Sequence, residues 1–189
     1  MSGILSWLSE ADTNLFLALN GMHSDFFDTV MYWVSNRWIW IPFYALIFFR
    51  LMRIDRKNIF RILIAAVLLI TVSDQLSSGV IKKSVERPRP CHEAAIAEQV
   101  HLVKNYCGGK FGFVSSHAAN CFALLTFLFL ILKGKDRRMM QLVFIWAVVV
   151  SYSRIYLGVH YPGDVICGGL SGALLGKIFS LIYFRFAVN

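Results

Sequence analysis

Apolar residues gather in five long runs, at positions 38–52, 60–81, 116–132, 139–156 and 165–184. The runs are continuous rather than alternating, and their lengths bracket the ~20 residues a helix needs to cross a bilayer. Backbone amides cannot stay unpaired in hydrocarbon, so only helices or closed barrels span it, and unbroken runs select helices. The first run is short and contains Pro42, so it begins earlier or tilts less. Ahead of it, Ile4, Trp7, Leu8, Leu15 and Leu19 recur near helical spacing, with Ser6, Glu10, Asp12 and Asn14 between them. Two carboxylates at mid-bilayer are costly, which predicts an amphipathic helix lying in the interface or packed on the bundle. Gly21 closes it, and residues 25–36 predict a second short helix. The fold class is therefore all-α, a polytopic membrane helix bundle of about five transmembrane helices plus an N-terminal interfacial helix. We read a single domain, with amphipathic helices over residues 1–36 and a transmembrane core over residues 37–189.

Composition sharpens this picture. Hydrophobic residues make up 57% of the 189 positions and charged residues 16%, against roughly 45–50% and about 25% in soluble domains. Disorder, collagen-like repeats and a conventional soluble enzyme are excluded. Lys and Arg number 19 against 11 Asp and Glu, yet they lie in the gaps between apolar runs, which argues against a nucleic-acid partner. Residues 1–20 lack a basic start and a small-residue cleavage site, so no removable signal peptide is expected. Arg50, Arg53, Arg56, Lys57 and Arg61 cluster after the first run, and Lys133, Lys135, Arg137 and Arg138 after the third. These loops should face the cytoplasm. The opposite face then carries Lys82, Lys83, Arg87, Arg89, Lys104 and Lys110, and a surplus of cations on the translocated side calls for an anion.

Three polar clusters fall on that face. In the first, Lys82 leaves the end of a helix and Arg89 follows in a proline-stiffened turn, a pair suited to clamping an oxyanion. In the second, Ser115, Ser116 and His117 open the third apolar helix, where serines are N-cap candidates and free N–H groups face an anion. In the third, Arg154 lies at the exit of the fourth run, His160 just before a Pro162 suited to the first turn of the last helix, and Asp164 one turn inside. Asp164 is spaced to accept from one imidazole nitrogen of His160 and leave the other nucleophilic. Separately each cluster is ordinary. Together they offer Lys82, Arg89 and Arg154 for phosphoryl oxygens, Ser115, Ser116 and helix-end amides as donors, and two histidines for opposite faces of one phosphorus.

The sequence resembles the type-2 phosphatidic acid phosphatase and vanadium haloperoxidase superfamily, whose signature runs Lys-x6-Arg-Pro, Pro-Ser-Gly-His and Ser-Arg-x5-His-x3-Asp. Lys82 with Arg89 and Pro90 matches the first part, Ser115 and His117 the second, and Ser153, Arg154, His160 and Asp164 the third. Val114 replaces the usual proline and Ser116 the usual glycine. The resemblance implies an integral-membrane lipid phosphatase without cofactor or metal. His160 would attack phosphorus to form a phosphohistidine, Asp164 orient it, and His117 protonate the leaving oxygen. A bell-shaped pH profile follows, with His160 neutral and His117 protonated in the active form.

The partners so implied are a lipid bilayer and a lipid phosphate substrate: undecaprenyl diphosphate, phosphatidylglycerophosphate, phosphatidic acid or lipid A phosphates. Family analogy puts undecaprenyl diphosphate first. The expected location is a bacterial-type cytoplasmic membrane, with the site on its outer face. Rival readings are a lipid phosphotransferase, the haloperoxidase branch, and a non-catalytic binder of anionic lipid. Cys91 and Cys107 flank 15 loop residues and can close a disulfide or remain free thiols. With His92 and His101 they match no standard metal spacing. Asp74 is intramembrane and ionisable, so it is either functional or held by a neighbouring helix. Gly168, Gly172 and Gly176 mark a close helix contact.

Overall fold

The computed structural model describes residues 2–187. In chain order it consists of α1 (Ser2–Asn20), α2 (Asp25–Ser35), α3 (Ile41–Ile54), α4 (Ile59–Asp74), a π-helical stretch (Gln75–Ile81), α5 (Lys82–Val85), α6 (Ser116–Leu132), α7 (Arg137–Tyr156) and α8 (Pro162–Ala187). Local chemistry sets the boundaries. Ser24 accepts from Phe27 N–H to start α2, and Pro42 occupies the first turn of α3, where its missing N–H costs nothing. Asp136 caps α7 through Met139 N–H at 3.0 Å.

The five expected spans correspond to α3, the α4–α5 run, α6, α7 and α8. Among the described residues, three helices are long and apolar enough to cross a membrane on their own: Arg56–Val85, Arg137–Tyr156 and Pro162–Phe186. The 17-residue α6 is shorter but uniformly apolar, and the 14-residue α3 is shorter than its apolar run, because Arg37–Trp40 is wound as a tighter 3₁₀ turn. Phe60, Ile64 and Val67 on α4, and Ile166, Leu170 and Leu174 on α8, are exposed. Apolar stripes of that kind are suited to lipid.

The core lies where α6 meets α4, α7 and α8, around Leu69, Phe127, Leu128 and Val143, all essentially inaccessible. The glycine stripe on α8 permits this. A Cβ at Gly172 would fall onto the Ala119 carbonyl, and one at Gly176 onto that of Ala123. Gly172→Leu is therefore expected to lower the thermal midpoint in detergent by about 5–10 °C. Gly109→Ala, with nothing within 4 Å of the added carbon, serves as the control.

The two ends of the bundle are fastened differently. At one, Arg50 on α3 pairs with Asp136 at 2.6 Å. At the other, α1 and α2 dock on the loops that carry the polar motifs. Phe16 is fully buried in contact with Tyr161, and Asn20 donates to the carbonyls of Tyr156 at 2.8 Å and His101 at 3.1 Å. Meanwhile Ile4, Leu5, Trp7 and Leu8 remain exposed. Thus α1 is packed on the bundle and still presents an apolar face outward. Asp74 accepts from Asn120 Nδ2 at 3.2 Å across the α4–α6 interface, the interhelical partner its position called for.

Candidate active site

Arg89 is held by the loop after α5. Pro88 forms an isolated β-bridge with Phe111, and a Cys91–Cys107 disulfide closes the loop with a Cα–Cα distance of 6.0 Å. Gly108, at φ +82°, lies against the Arg89 guanidinium, 3.3 Å from Cζ at the nearest to an added Cβ. Arg89 donates to the carbonyl of Val159 at 3.2 Å and to that of Phe111 at 3.3 Å. Burial holds its guanidinium below the ordinary arginine range, a bias that the nearby Tyr106 and Asp164 oppose. Bonding of the two sulfurs leaves neither thiolate free beside His92, and His101 is engaged with Asp28 at 2.9 Å.

His160 is placed by the turn between α7 and α8. Gly158 sits at φ +77°, where a Cβ would lie 2.6 Å from the His101 carbonyl, so this tight reversal calls for glycine. The amides of Val159 and His160 both donate to the Arg154 carbonyl at 3.2 Å. Asp164, in the first turn of α8 and fully buried, brings Oδ2 to 3.3 Å from His160 Nδ1 and accepts there from Tyr161 N–H at 3.1 Å. Its Oδ1 accepts from Arg87 at 2.9 Å. Nδ1 is thus committed and Nε2 is the nitrogen left for chemistry. Burial, reinforced by Arg89, Arg154 and Lys82, drives the His160 pKa well below the ordinary histidine value.

The remaining expected residues converge on the same place. Half-buried His117, in the first turn of α6, lies within electrostatic reach of Arg154, His160, Lys82 and Arg89. Lys82 Nζ donates to Ser116 Oγ at 3.1 Å, and Ser116 Oγ also meets Ser78 Oγ at 2.8 Å. Ser116 is therefore engaged in positioning the lysine. Ser115 stands at the N-cap of α6, but its hydroxyl makes no capping bond; it is buried and lacks a partner. That corrects the expectation of a serine cap. Its N–H goes to the Asp164 carbonyl at 2.9 Å, which joins the α6 and α8 ends directly. Arg154 donates to Ser35 Oγ on α2, and its buried Nε has no partner.

Two residues completing the site were not singled out by the motifs. Arg87 joins Asp164 to Asp12 of α1, 2.8 Å away, while its guanidinium carbon lies 4.0 Å over the Tyr161 ring. Asp12 also accepts from Gly163 N–H at 2.7 Å. The one sequence signal for Asp12 was its place as one of two carboxylates among the apolar positions of α1.

This arrangement supplies cations and donors for an anion, a nucleophilic nitrogen and a second imidazole. Residues 61–187 match the PAP2 superfamily. The chain is 39% identical over 181 residues to a lipid A 4'-phosphatase of Bacteroides thetaiotaomicron, covering 95% of this chain and 80% of that protein. A crystal structure of a transmembrane PAP2-type phosphatidylglycerolphosphate phosphatase from Bacillus subtilis superposes with a TM-score of 0.70 at 20% identity, over 95% of this chain and 87% of that one. Aquifex aeolicus LpxE superposes at 0.65 with 26% identity, over 90% and 94%.

Proposed function

The chain belongs to the PAP2 superfamily as an integral-membrane phosphatase, and from that premise we propose that it removes a phosphate monoester from a lipid A-type glycolipid through a phosphohistidine. The carrying observation is the convergence of Lys82, Arg89 and Arg154 on His117 and on a His160 whose Nδ1 faces Asp164.

In the proposed reaction, Lys82, Arg89 and Arg154 neutralise the phosphoryl oxygens, with the unpartnered Ser115 hydroxyl as a further donor. The neutral Nε2 of His160 attacks phosphorus. As the P–O ester bond breaks, its electron pair goes to the leaving oxygen and His117 supplies the proton. Water, deprotonated by His117, then cleaves the P–N bond and releases inorganic phosphate. These residues carry every charge and proton the sequence of steps demands. Long-range similarity to a lipid A 4'-phosphatase moves lipid A phosphates ahead of undecaprenyl diphosphate, the choice from family analogy.

In this reading the basic α3–α4 and α6–α7 ends face the cytoplasm, and the site opens at the outer face of a bacterial cytoplasmic membrane. Tails can stay in the bilayer while the headgroup enters. The test is phosphate release from lipid A, phosphatidic acid and undecaprenyl diphosphate by the purified protein, with and without chelator. Release that is greatest for lipid A and unaffected by chelator is expected. Activity lost with chelator and restored by metal overturns the mechanism. A preference for undecaprenyl diphosphate overturns the substrate.

A further inference from the structure

Where α2 meets the outer loop there is a cavity of about 180 Å³, walled by Tyr32 and Ser35 from α2, Asn36 just after it, Val103 and Tyr106 from the loop, Arg154 from the end of α7, and Leu157 and Val159 from the turn before His160. Its composition differs from that of an acyl-chain groove. Two phenols, a hydroxyl, an amide and a guanidinium share it with three aliphatic side chains. Arg154 belongs both to this cavity and to the proposed phosphate cradle. Its Nε is buried without a partner. Through Arg154 the cavity adjoins the cradle, and Tyr106 lies within electrostatic reach of both Arg154 and Arg89. Lys104 Nζ lies 3.6 Å over the Tyr32 ring.

We propose that this cavity receives the pyranose ring that carries the scissile phosphate. The inference rests on the phosphatase reading and deepens it by assigning the sugar a place. A ring sugar presents C–H faces that pack on phenols and aliphatic side chains, and hydroxyls that pair with amide, hydroxyl and guanidinium groups. The lining offers both kinds of surface. An isoprenoid or acyl chain would leave the unpartnered Nε of Arg154 facing hydrocarbon, which is unfavourable for a polar group. A ring bonded to the phosphate through one ester oxygen must also lie beside the cradle, and this cavity does.

The experiment compares Tyr32→Ala and Asn36→Ala with the unaltered protein on three probes: lipid A bearing a glucosamine 4'-phosphate, dioleoyl phosphatidic acid and farnesyl diphosphate. For lipid A, KM is expected to rise about 10-fold with little change in kcat, the scale of one lost contact in a specificity pocket. Hydrolysis of phosphatidic acid is expected to change less than about 2-fold, which also shows that the variants are folded. Equal losses on lipid A and phosphatidic acid, or no change on either, overturn the assignment. A loss on farnesyl diphosphate as large as that on lipid A assigns the cavity to a second phosphate and overturns the sugar. If the unaltered protein hydrolyses phosphatidic acid but not lipid A, the subsite falls and the phosphatase stands. If it hydrolyses none of the probes, the phosphatase reading itself falls.

Discussion

His160→Ala is expected to abolish phosphate release, with a loss on the order of 10⁴-fold or more, in a protein that still inserts and folds. The side chain is 2% exposed, and with its Nδ1 committed to Asp164, Nε2 is the nitrogen held ready to attack. His117→Ala should cost less, about 10²–10⁴-fold, the range for a general acid. The pH profile separates the two roles. Burial and the surrounding cations keep His160 deprotonated far below its ordinary value. The acidic limb of kcat/KM is therefore expected to lie well under pH 6.5 and to persist in His117→Ala. Stability follows the same depression. Below about pH 6.5 the unfolded chain takes up a proton on this imidazole that the folded chain refuses, so stability falls as pH drops from there towards the folded-state pKa. In His160→Ala that component of the acid sensitivity disappears. Measuring kcat/KM and the thermal midpoint across pH 4–8 checks both; an acidic limb at or above 6.5 would contradict the assigned nucleophile.

The part of this site legible in sequence is the part encoded by short spacing. His160 and Asp164 lie four positions apart across the start of α8, and the helix-end location of His117 and Lys82 follows from where the apolar runs stop. Hydrophobic runs likewise revealed the bundle, because lipid imposes apolarity on every outward position. Contacts across long stretches of chain leave no such trace. Asn20 reaches a carbonyl 136 positions away, and Arg87 reaches Asp12 across 75. In sequence the first is a polar end to a helix and the second one more cation in a basic loop. Ser116 was similarly opaque. A serine at a helix start reads as a donor for an anion or a cap, and only the folded chain shows its hydroxyl between Ser78 and Lys82. The π-helical stretch 75–81 has no periodic signature either.

Replacement of Arg87 tests whether those long-range contacts matter to catalysis. Arg87→Gln is expected to lower kcat by about 10²-fold and to reduce stability by about 3–5 kcal/mol, the scale for removing one partner of a buried ion pair. Asp164 is wholly buried and Arg87 is its cationic partner at 2.9 Å. Without the guanidinium, the carboxylate either takes a proton and ceases to accept from His160 Nδ1, or turns towards another donor. Either outcome frees the imidazole to adopt the wrong tautomer or orientation. Asp12→Asn should be milder, since Asn can still accept from Gly163 N–H and Arg87 keeps its bond to Asp164. The double variant Arg87→Gln with Asp164→Asn separates positioning from mere folding. If Arg87 acts through Asp164, adding the second change to the first lowers kcat little further while recovering stability, because no unpaired carboxylate remains. Strictly additive losses in kcat would show that Arg87 contacts the substrate directly. An unchanged kcat in Arg87→Gln would remove α1 and its Asp12 from the catalytic apparatus altogether.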